Sequence, residues 1–398
     1  MSFPDALRHR DFRIYILGAF FALNGVWVGR IAVGWLGWSL TGSASYVGLL
    51  ALASLLPTVI VGPIFGAIAD RVNLKTAALA IQASLCVVTL VFFLIYLSGA
   101  VGKLLLLIYA IVSGVITAAY HPIRLALAPR LVPREVIGSA VPMISINFNM
   151  SRFIGPFIAG SLIALYGVGA AFAVTAVSVV PLLIAIAVVR PRARQAPDRA
   201  PLSMARSIIE GLRFALADPM IRLGMAITAV TSLAARGVQE ILPVIADGAF
   251  ARGPEGLGQL TAAAGLGAVA ASVWIATHPV ADGDRLPRRS VWSAWASQAL
   301  VACLAVVPVW WGAVALTVGL GVTGTLTAVG IQSAIQMRLD DGMRGRVMST
   351  WVMLAIGSMA GGALMLGALV DLLGLGPALM IGAGTGVVLL GILSRRVA

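Results

Sequence analysis

The sequence predicts an all-α integral membrane protein, with twelve transmembrane helices in two pseudo-symmetric six-helix bundles. Three observations predict it. Of 398 residues, 60% are hydrophobic and only 11% charged, whereas a soluble domain carries about 25% charged residues. One soluble core cannot absorb that imbalance, since chains much past about 250–300 residues divide into domains. The apolar residues fall in continuous runs of about 20 residues, the length needed to span a bilayer. The one long polar stretch, 190–218, then separates six runs from six.

In chain order the runs are 14–40, 44–67, 76–97, 104–126, 138–165, 169–189, 219–246, 256–277, 290–308, 311–336, 347–370 and 375–394. Each is expected to be helical, because lipid cannot satisfy an open strand edge. A membrane β-barrel would need short alternating segments instead. Span 1 follows Arg8, Arg10 and Arg13. It is too long for a signal-peptide core and no small-residue cleavage site follows, so it is expected to remain as helix 1. The expected division is 1–189 as the N-terminal six-helix bundle, 190–218 as a cytoplasmic central loop, and 219–398 as the C-terminal bundle. Within the loop, Arg190 to Pro201 reads as an Arg/Pro/Ala linker. Leu202 to Leu216 places Ile208, Ile209, Leu212 and Leu216 at helical spacing, which predicts a short amphipathic helix on the membrane surface. The halves repeat weakly: Arg13 and Arg222 lie 209 positions apart, and Arg130-Leu131 and Arg338-Leu339 lie 208 apart. Parallel repeats of this kind carry a substrate site at their interface, near the bilayer midplane.

Charge placement sets the orientation. With the N-terminus inside, the cytoplasmic segments hold three, two, three, seven, three, three and two Lys or Arg, which is 23 of the 28. Only Lys103 and Arg252 fall on the opposite side. This positive-inside pattern predicts a multi-pass protein of the cytoplasmic (inner) membrane with both termini cytoplasmic. The net charge of +13 is therefore a topology signal, with affinity for anionic lipid heads as a by-product; nucleic acid is not an expected partner. Cys86 and Cys303 each sit in an apolar run and read as inert core thiols, not a disulfide. His9, His121 and His278 are far apart and have no nearby cysteine, so no metal site is expected. No catalytic cluster and no G-x-x-x-x-G-K-[ST] loop occurs. Neither an enzyme nor a cofactor is expected, and ATP is not the direct energy source.

Charges inside spans are costly, at roughly 2.5–3.5 kcal/mol for an Arg at a helix centre. Arg30, Arg152 and Arg236 each need a partner or a wet cavity, and Glu240 is the one acid well inside a span. Arg236 and Glu240 are i and i+4 in helix 7 and are expected to pair on one face. Three cations against one anion leave an electropositive centre, suited to an anionic or zwitterionic amphiphile. The alternative is that Arg30 and Arg152 bind backbone carbonyls and polar neighbours such as Asn24 and Asn149. Polar residues recur at helical spacing as Ser113, Thr117, Tyr120 and Arg124; as Ser145, Asn149 and Arg152; as Thr228, Ser232, Arg236 and Gln239; and as Thr325, Gln332 and Gln336. Such stripes face protein or water, not lipid. The substrate-cavity candidates are Asn24, Arg30, Thr117, Tyr120, Asn149, Arg152, Arg236, Gln239, Thr325, Gln332 and Gln336; interhelix hydrogen bonding is the alternative for any one of them. His121 reads as structural. Glu240 is the candidate proton-coupling carboxylate, because burial and a neighbouring arginine act on its proton in opposite senses.

Span 2 ends in Gly66-Ala-Ile-Ala-Asp70-Arg71-Val-Asn-Leu-Lys75. This resembles the major facilitator signature G-x-x-x-D-R-x-x-x-R/K. Further stretches resemble the branch of that superfamily containing enterobactin exporters and macrolide efflux pumps: Arg30-Ile-Ala-Val-Gly-Trp35, Leu40 to Gly48, Leu56-Pro57, Gly62-Pro63, Leu131 to Arg134, Arg152 to Pro156 and Arg344 to Ser349. The resemblance implies the major facilitator fold, with helices 1, 4, 7 and 10 lining a central cavity. It implies a gating latch at Gly66, Asp70, Arg71 and Lys75, where a carboxylate can bind the N-terminus of a facing helix; a solvated topogenic loop is the alternative. Gly155, Pro156 and Gly160 resemble an antiporter motif that bends helix 5, although the same residues also suit plain close packing.

The expected function is secondary active export by alternating access, with a small anionic or zwitterionic amphiphile such as a siderophore or drug as substrate and protons as the coupling ion. A lysolipid or lipid-precursor transporter is the alternative. A non-transporting receptor or scaffold would call for a large soluble domain. The expected partners are a small-molecule substrate and the lipid bilayer, and the chain is expected to be a monomer.

Overall fold

The structure, a computed structural model, describes residues 5–69, 71–192, 204–278 and 285–394; among them there is no strand. The helices are α1 (Arg10–Thr41), α2 (Ala44–Ile60), α3 (Gly62–Ala69), α4 (Leu74–Leu97), α5 (Lys103–Leu127), α6 (Ile137–Tyr166), α7 (Val168–Ser178) and α8 (Val180–Val188) in the first half. In the second they are α9 (Met204–Ala217), α10 (Pro219–Thr231), α11 (Gly237–Glu240), α12 (Gly253–Thr277), α13 (Arg288–Val306), α14 (Trp310–Arg338), α15 (Asp341–Leu373) and α16 (Leu375–Ser394). Among the described residues, ten helical segments are long and apolar enough to cross a membrane. The other two expected spans are α2 with α3, split at Val61 just after Pro57, and α13, which buries Ser290, Ser293, Ser297 and Gln298. Leu17, Phe21, Val87, Leu94, Phe157, Leu165 and Val388 are exposed, as a lipid-facing surface requires. Cys303 is also exposed and Cys86 half-buried, so Cys303 is not the core thiol its apolar run implies.

The internal repeat has a structural counterpart. The Arg13 guanidinium donates to the Leu7 carbonyl at 3.5 Å, and that of Arg222 to the Leu216 carbonyl at 2.9 Å. Both bonds reach six residues back, and both pairs are 209 positions apart. Residues 193–203, most of the expected linker, lie outside the described residues, as do Arg395 and Arg396. The helix that follows, α9, covers most of the expected amphipathic stretch. It packs on α15, with Gly211 against the Arg346 backbone, Ala215 buried, and Glu210 bonded to Arg346 at 2.6 Å. Ile209, Leu212 and Leu216 stay exposed.

At the start of α10, Asp218 accepts from the Met220 and Ile221 N–H groups at 2.9 and 3.1 Å and from Arg338 at 2.6 Å. Burial on its own would raise this carboxyl; the bonds from Arg338 and the two N–H groups outweigh it and hold the carboxyl below the usual range. A group so depressed stabilises the fold above its unfolded pKa of about 3.9, and that contribution is lost as pH falls through the folded value. Asp218→Ala is therefore expected to destabilise the protein by roughly 1–2 kcal/mol at neutral pH. Thermal unfolding of both proteins from pH 7 down to about 3 would measure it, and the gap should close at the acid end.

The core forks. Call the end where α1 begins the near face and the opposite end the far face. On the far half the two bundles share one core, in which Val28, Leu50, Tyr109 and Phe172 of the first half join Ile241, Ile245, Leu304 and Leu379 of the second. On the near half each bundle keeps its own core: Phe12, Tyr15, Leu127 and Ile186 in the first, and Ile221, Ile331, Val347 and Leu390 in the second. Small residues make the shared part possible, as close helix approach in membranes requires. A Cβ on Gly48 of α2 would lie 2.4 Å from the Ala363 carbonyl of α15, and one on Gly367 would lie 2.3 Å from the Ala44 carbonyl. On the second seam, a Cβ on Gly160 of α6 would lie 2.6 Å from the Gly258 Cα of α12.

Candidate functional site

At the fork of the core lies a cavity of about 370 Å³. Most of its wall is apolar, from Leu23, Ile31, Leu55, Leu85, Leu257 and Met359 among others. Its polar groups converge from both halves: Arg30 on α1, Gln82 on α4, Thr117, Tyr120 and Arg124 on α5, Arg152 on α6, and Arg236, Gln239 and Glu240 along span 7.

Glu240 does not take the partner its spacing predicts. Its Oε1 accepts from Arg30 Nη2 at 2.6 Å, across 210 residues and between the two halves, with the side chains 13% and 30% exposed. Arg236 stays electrostatically coupled to Glu240 without that bond. Residues Ser232–Arg236 form a π-helical turn, and the four-residue α11 that follows carries Glu240 at its end; π turns of this kind recur at functional sites. A second π turn, Val244–Ala249, follows Pro243. Arg30 also lies 5.3 Å from the Trp27 ring, and Arg124 lies 5.4 Å from that of Phe148, both within cation–π reach. Arg152 is coupled to Arg236, Arg30 and Glu240 together.

Of the eleven cavity candidates, Arg30, Thr117, Tyr120, Arg152, Arg236 and Gln239 line it. Asn24 is buried between helices, donating to the Phe20 carbonyl and to Ser151 Oγ. Asn149 bonds back to the Ser145 carbonyl. Thr325, Gln332 and Gln336 of α14 are not among the lining residues. Sequence reading missed Gln82, Trp27 and Phe148 as lining groups. The aromatic pair carried a usable signal, since Trp27 lies one turn before Arg30 and shares its face. His121, read as structural, also lines the cavity. Gly155 packs on Trp27 and the Asn24 carbonyl, and α6 runs unbroken from Ile137 to Tyr166 through Pro156.

The expected latch residues other than Asp70 lie at the end of α3 and the start of α4. Gly66 faces open space, Asp70 lies outside the described residues, and Arg71 is exposed. Lys75 donates to the Ala187 and Val189 carbonyls at 2.7 and 2.8 Å, capping the end of α8 within its own half. A latch between the halves does exist on the far face. Asp371, at the end of α15, accepts from Ser43 Oγ at 2.7 Å and from the Ala44 and Ser45 N–H groups at 2.8 and 2.9 Å. It thus caps the N-terminus of α2 from the other half. Nearby, the Trp38 indole donates to Asp247 at 2.8 Å. α1 ends beside this latch at Gly42, which takes φ +59° and returns its N–H to the Trp38 carbonyl.

Comparison with known proteins places these features among transporters. The family model described as transmembrane secretion effector matches residues 3–398. The staphyloferrin A transporter of Staphylococcus aureus is 29% identical over 155 residues, 39% of each chain. The multidrug efflux pump Tap of Mycolicibacterium fortuitum is 29% identical over 222 residues, 54% of this chain and 53% of the pump. The chain thus spans about two fifths and about half the length of these two relatives. Enterobactin exporter EntS of Shigella dysenteriae is 26% identical over 338 residues, 83% of this chain and 75% of the exporter. Among solved structures, a point mutant of the nucleoside transporter NupG superposes with a TM-score of 0.74 at 12% identity, covering 97% of this chain and 99% of that one. A bacterial homologue of the human lysosomal transporter Spinster superposes with a TM-score of 0.70 at 15% identity, covering 97% and 96%.

Proposed function

The chain belongs to the transmembrane secretion effector family of major facilitator transporters, and from that premise we propose that it is a secondary exporter of a small anionic or zwitterionic amphiphile. The observation that carries this reading is that Arg30, Arg124, Arg152 and Arg236 line, with one acid, Glu240, a largely apolar cavity at the fork of the core. Guanidinium groups suit carboxylate and phosphate, and they stay charged in a low-dielectric site. An apolar wall suits the body of an amphiphile. Its relatives are named for a siderophore, for multiple drugs and for enterobactin; an acidic amphiphile is the class this cavity favours.

Charge placement supports a cytoplasmic near face, with both termini inside and the cavity between the cytoplasm and the latched far half. Release of Asp371 from α2, and closure of the near half, would then present the same site to the other side. Asp70 and Arg71 are the groups we assign to holding that closed near face. Glu240 is the acid we assign to proton coupling, as the carboxylate among the lining groups.

The test is thermal unfolding of the purified full chain with decanoate, lysophosphatidylglycerol, lysophosphatidylcholine and decyltrimethylammonium. A ligand bound at 100 times its Kd stabilises by about 2.7 kcal/mol. The anions and the zwitterion should raise the unfolding temperature, and Arg152→Gln should remove most of the rise. A response confined to the quaternary ammonium would sink the assignment.

A further inference from the structure

The Arg30–Glu240 pair is an unusual way to neutralise a guanidinium in a membrane protein. Its two members come from different halves, meet at 2.6 Å, and lie on the cavity wall instead of inside a packed core. Four guanidinium groups line the same cavity: Arg30, Arg124, Arg152 and Arg236. Glu240 bonds directly to Arg30. Arg152 is coupled to the pair without sharing the bond. The backbone that presents Glu240 is irregular on both sides, with a π turn before it and Pro243 and a second π turn after it. Such bulges re-aim side chains and recur at functional sites.

From this arrangement we infer that Glu240 is a built-in occupant of a substrate acid-binding subsite, and that the substrate carries two acid groups on one apolar body. The inference rests on the export reading above and names its substrate class more narrowly. One substrate carboxylate takes Arg30 from Glu240, and the second is held by Arg152. A monocarboxylate seated at Arg152 leaves the Arg30–Glu240 bond in place, because displacing Glu240 by itself only exchanges one carboxylate for another. A dicarboxylate makes both contacts, so the second offsets the exchange at the first. The first contact also breaks a polar link between the halves at the fork. Loading of the site and loosening of the inter-half contact are thus one event, which is how differential binding biases a two-state equilibrium.

Matched amphiphiles test this on the full chain in detergent, with apparent affinity read from ligand-dependent thermal unfolding. Octylsuccinate offers two carboxylates, decanoate one, and decyltrimethylammonium a cation. One additional charge-assisted hydrogen bond corresponds to about a tenfold change in Kd or more. Octylsuccinate should bind at least about tenfold tighter than decanoate to the unmodified chain. In Arg30→Gln that advantage should shrink below about threefold, and in Glu240→Gln decanoate should gain about tenfold because Arg30 becomes vacant. If Glu240→Gln does not fold, the Arg30→Gln comparison decides alone. Equal affinity of the two acids for the unmodified chain overturns the inference while leaving the export reading intact, and so does weaker decanoate binding to Glu240→Gln. Binding of the cation with neither acid overturns both.

Discussion

Gly48→Leu is expected to hold the far face open. The glycine sits where α2 crosses α15, and a Cβ there would lie 2.4 Å from the Ala363 carbonyl and 2.8 Å from the Leu364 Cα. Both obstacles are backbone, so no rotamer change relieves them. Overpacking of this sort costs about 3 kcal/mol, which is roughly a hundredfold shift in the ratio of closed to open far face. Each half keeps its own near-half core, so the variant should fold and insert. The readout is a cysteine at Ala246, fully buried in the shared core next to the Trp38–Asp247 bond, in a chain with Cys86 and Cys303 replaced by serine. A membrane-impermeant maleimide added from the far side should label it quickly in the leucine variant and slowly in its parent. Equal protection in a folded Gly48→Leu protein would show that this crossing does not close the far face. Asp371→Ala should act in the same direction but less, because Asp371 is exposed and a lost cap of this kind contributes about 1 kcal/mol.

The second large effect is an asymmetry between the two members of the central ion pair. Glu240→Gln should destabilise the ligand-free protein more than Arg30→Gln does. Removing the acid leaves Arg30, Arg152 and Arg236 clustered around a neutral amide. Removing Arg30 leaves Glu240 still coupled to Arg152 and Arg236. Breaking a buried pair from one side costs about 3–5 kcal/mol; with Arg30 30% exposed, we expect roughly 2 kcal/mol for Glu240→Gln and about 1 for Arg30→Gln. Unfolding temperatures of both variants and of the double Gln variant measure it. An equal loss would mean that Arg152 and Arg236 do not feel the carboxylate.

Much of the site was visible as unpaired cost. Arg30, Arg152, Arg236 and Glu240 stand out in any reading of the spans, because a charge in lipid demands an explanation, and the cavity gathers all four. Their pairing was not visible. Sequence spacing offered Arg236 to Glu240 within one helix, and the packing of the two halves brought Arg30 to the carboxylate instead. The α14 stripe of Thr325, Gln332 and Gln336 shows the same gap. A polar stripe in a bundle faces protein or water, but periodicity does not say which, and here it does not reach the cavity. The far-face latch escaped for another reason. Asp371 sits near the end of an apolar run, where acids are common, whereas Asp70 sits in a motif that draws attention to itself.

By itself the sequence determined which segments are helical and apolar and which buried charges need partners. Those follow from transfer free energy and backbone hydrogen bonding, which each segment settles locally. Only the tertiary structure decided that Arg30 meets Glu240, that Asp371 caps α2, and that one core on the far half becomes two on the near half. These depend on how each helix is rotated and how closely its glycines let a neighbour approach, and residues hundreds of positions apart set that jointly.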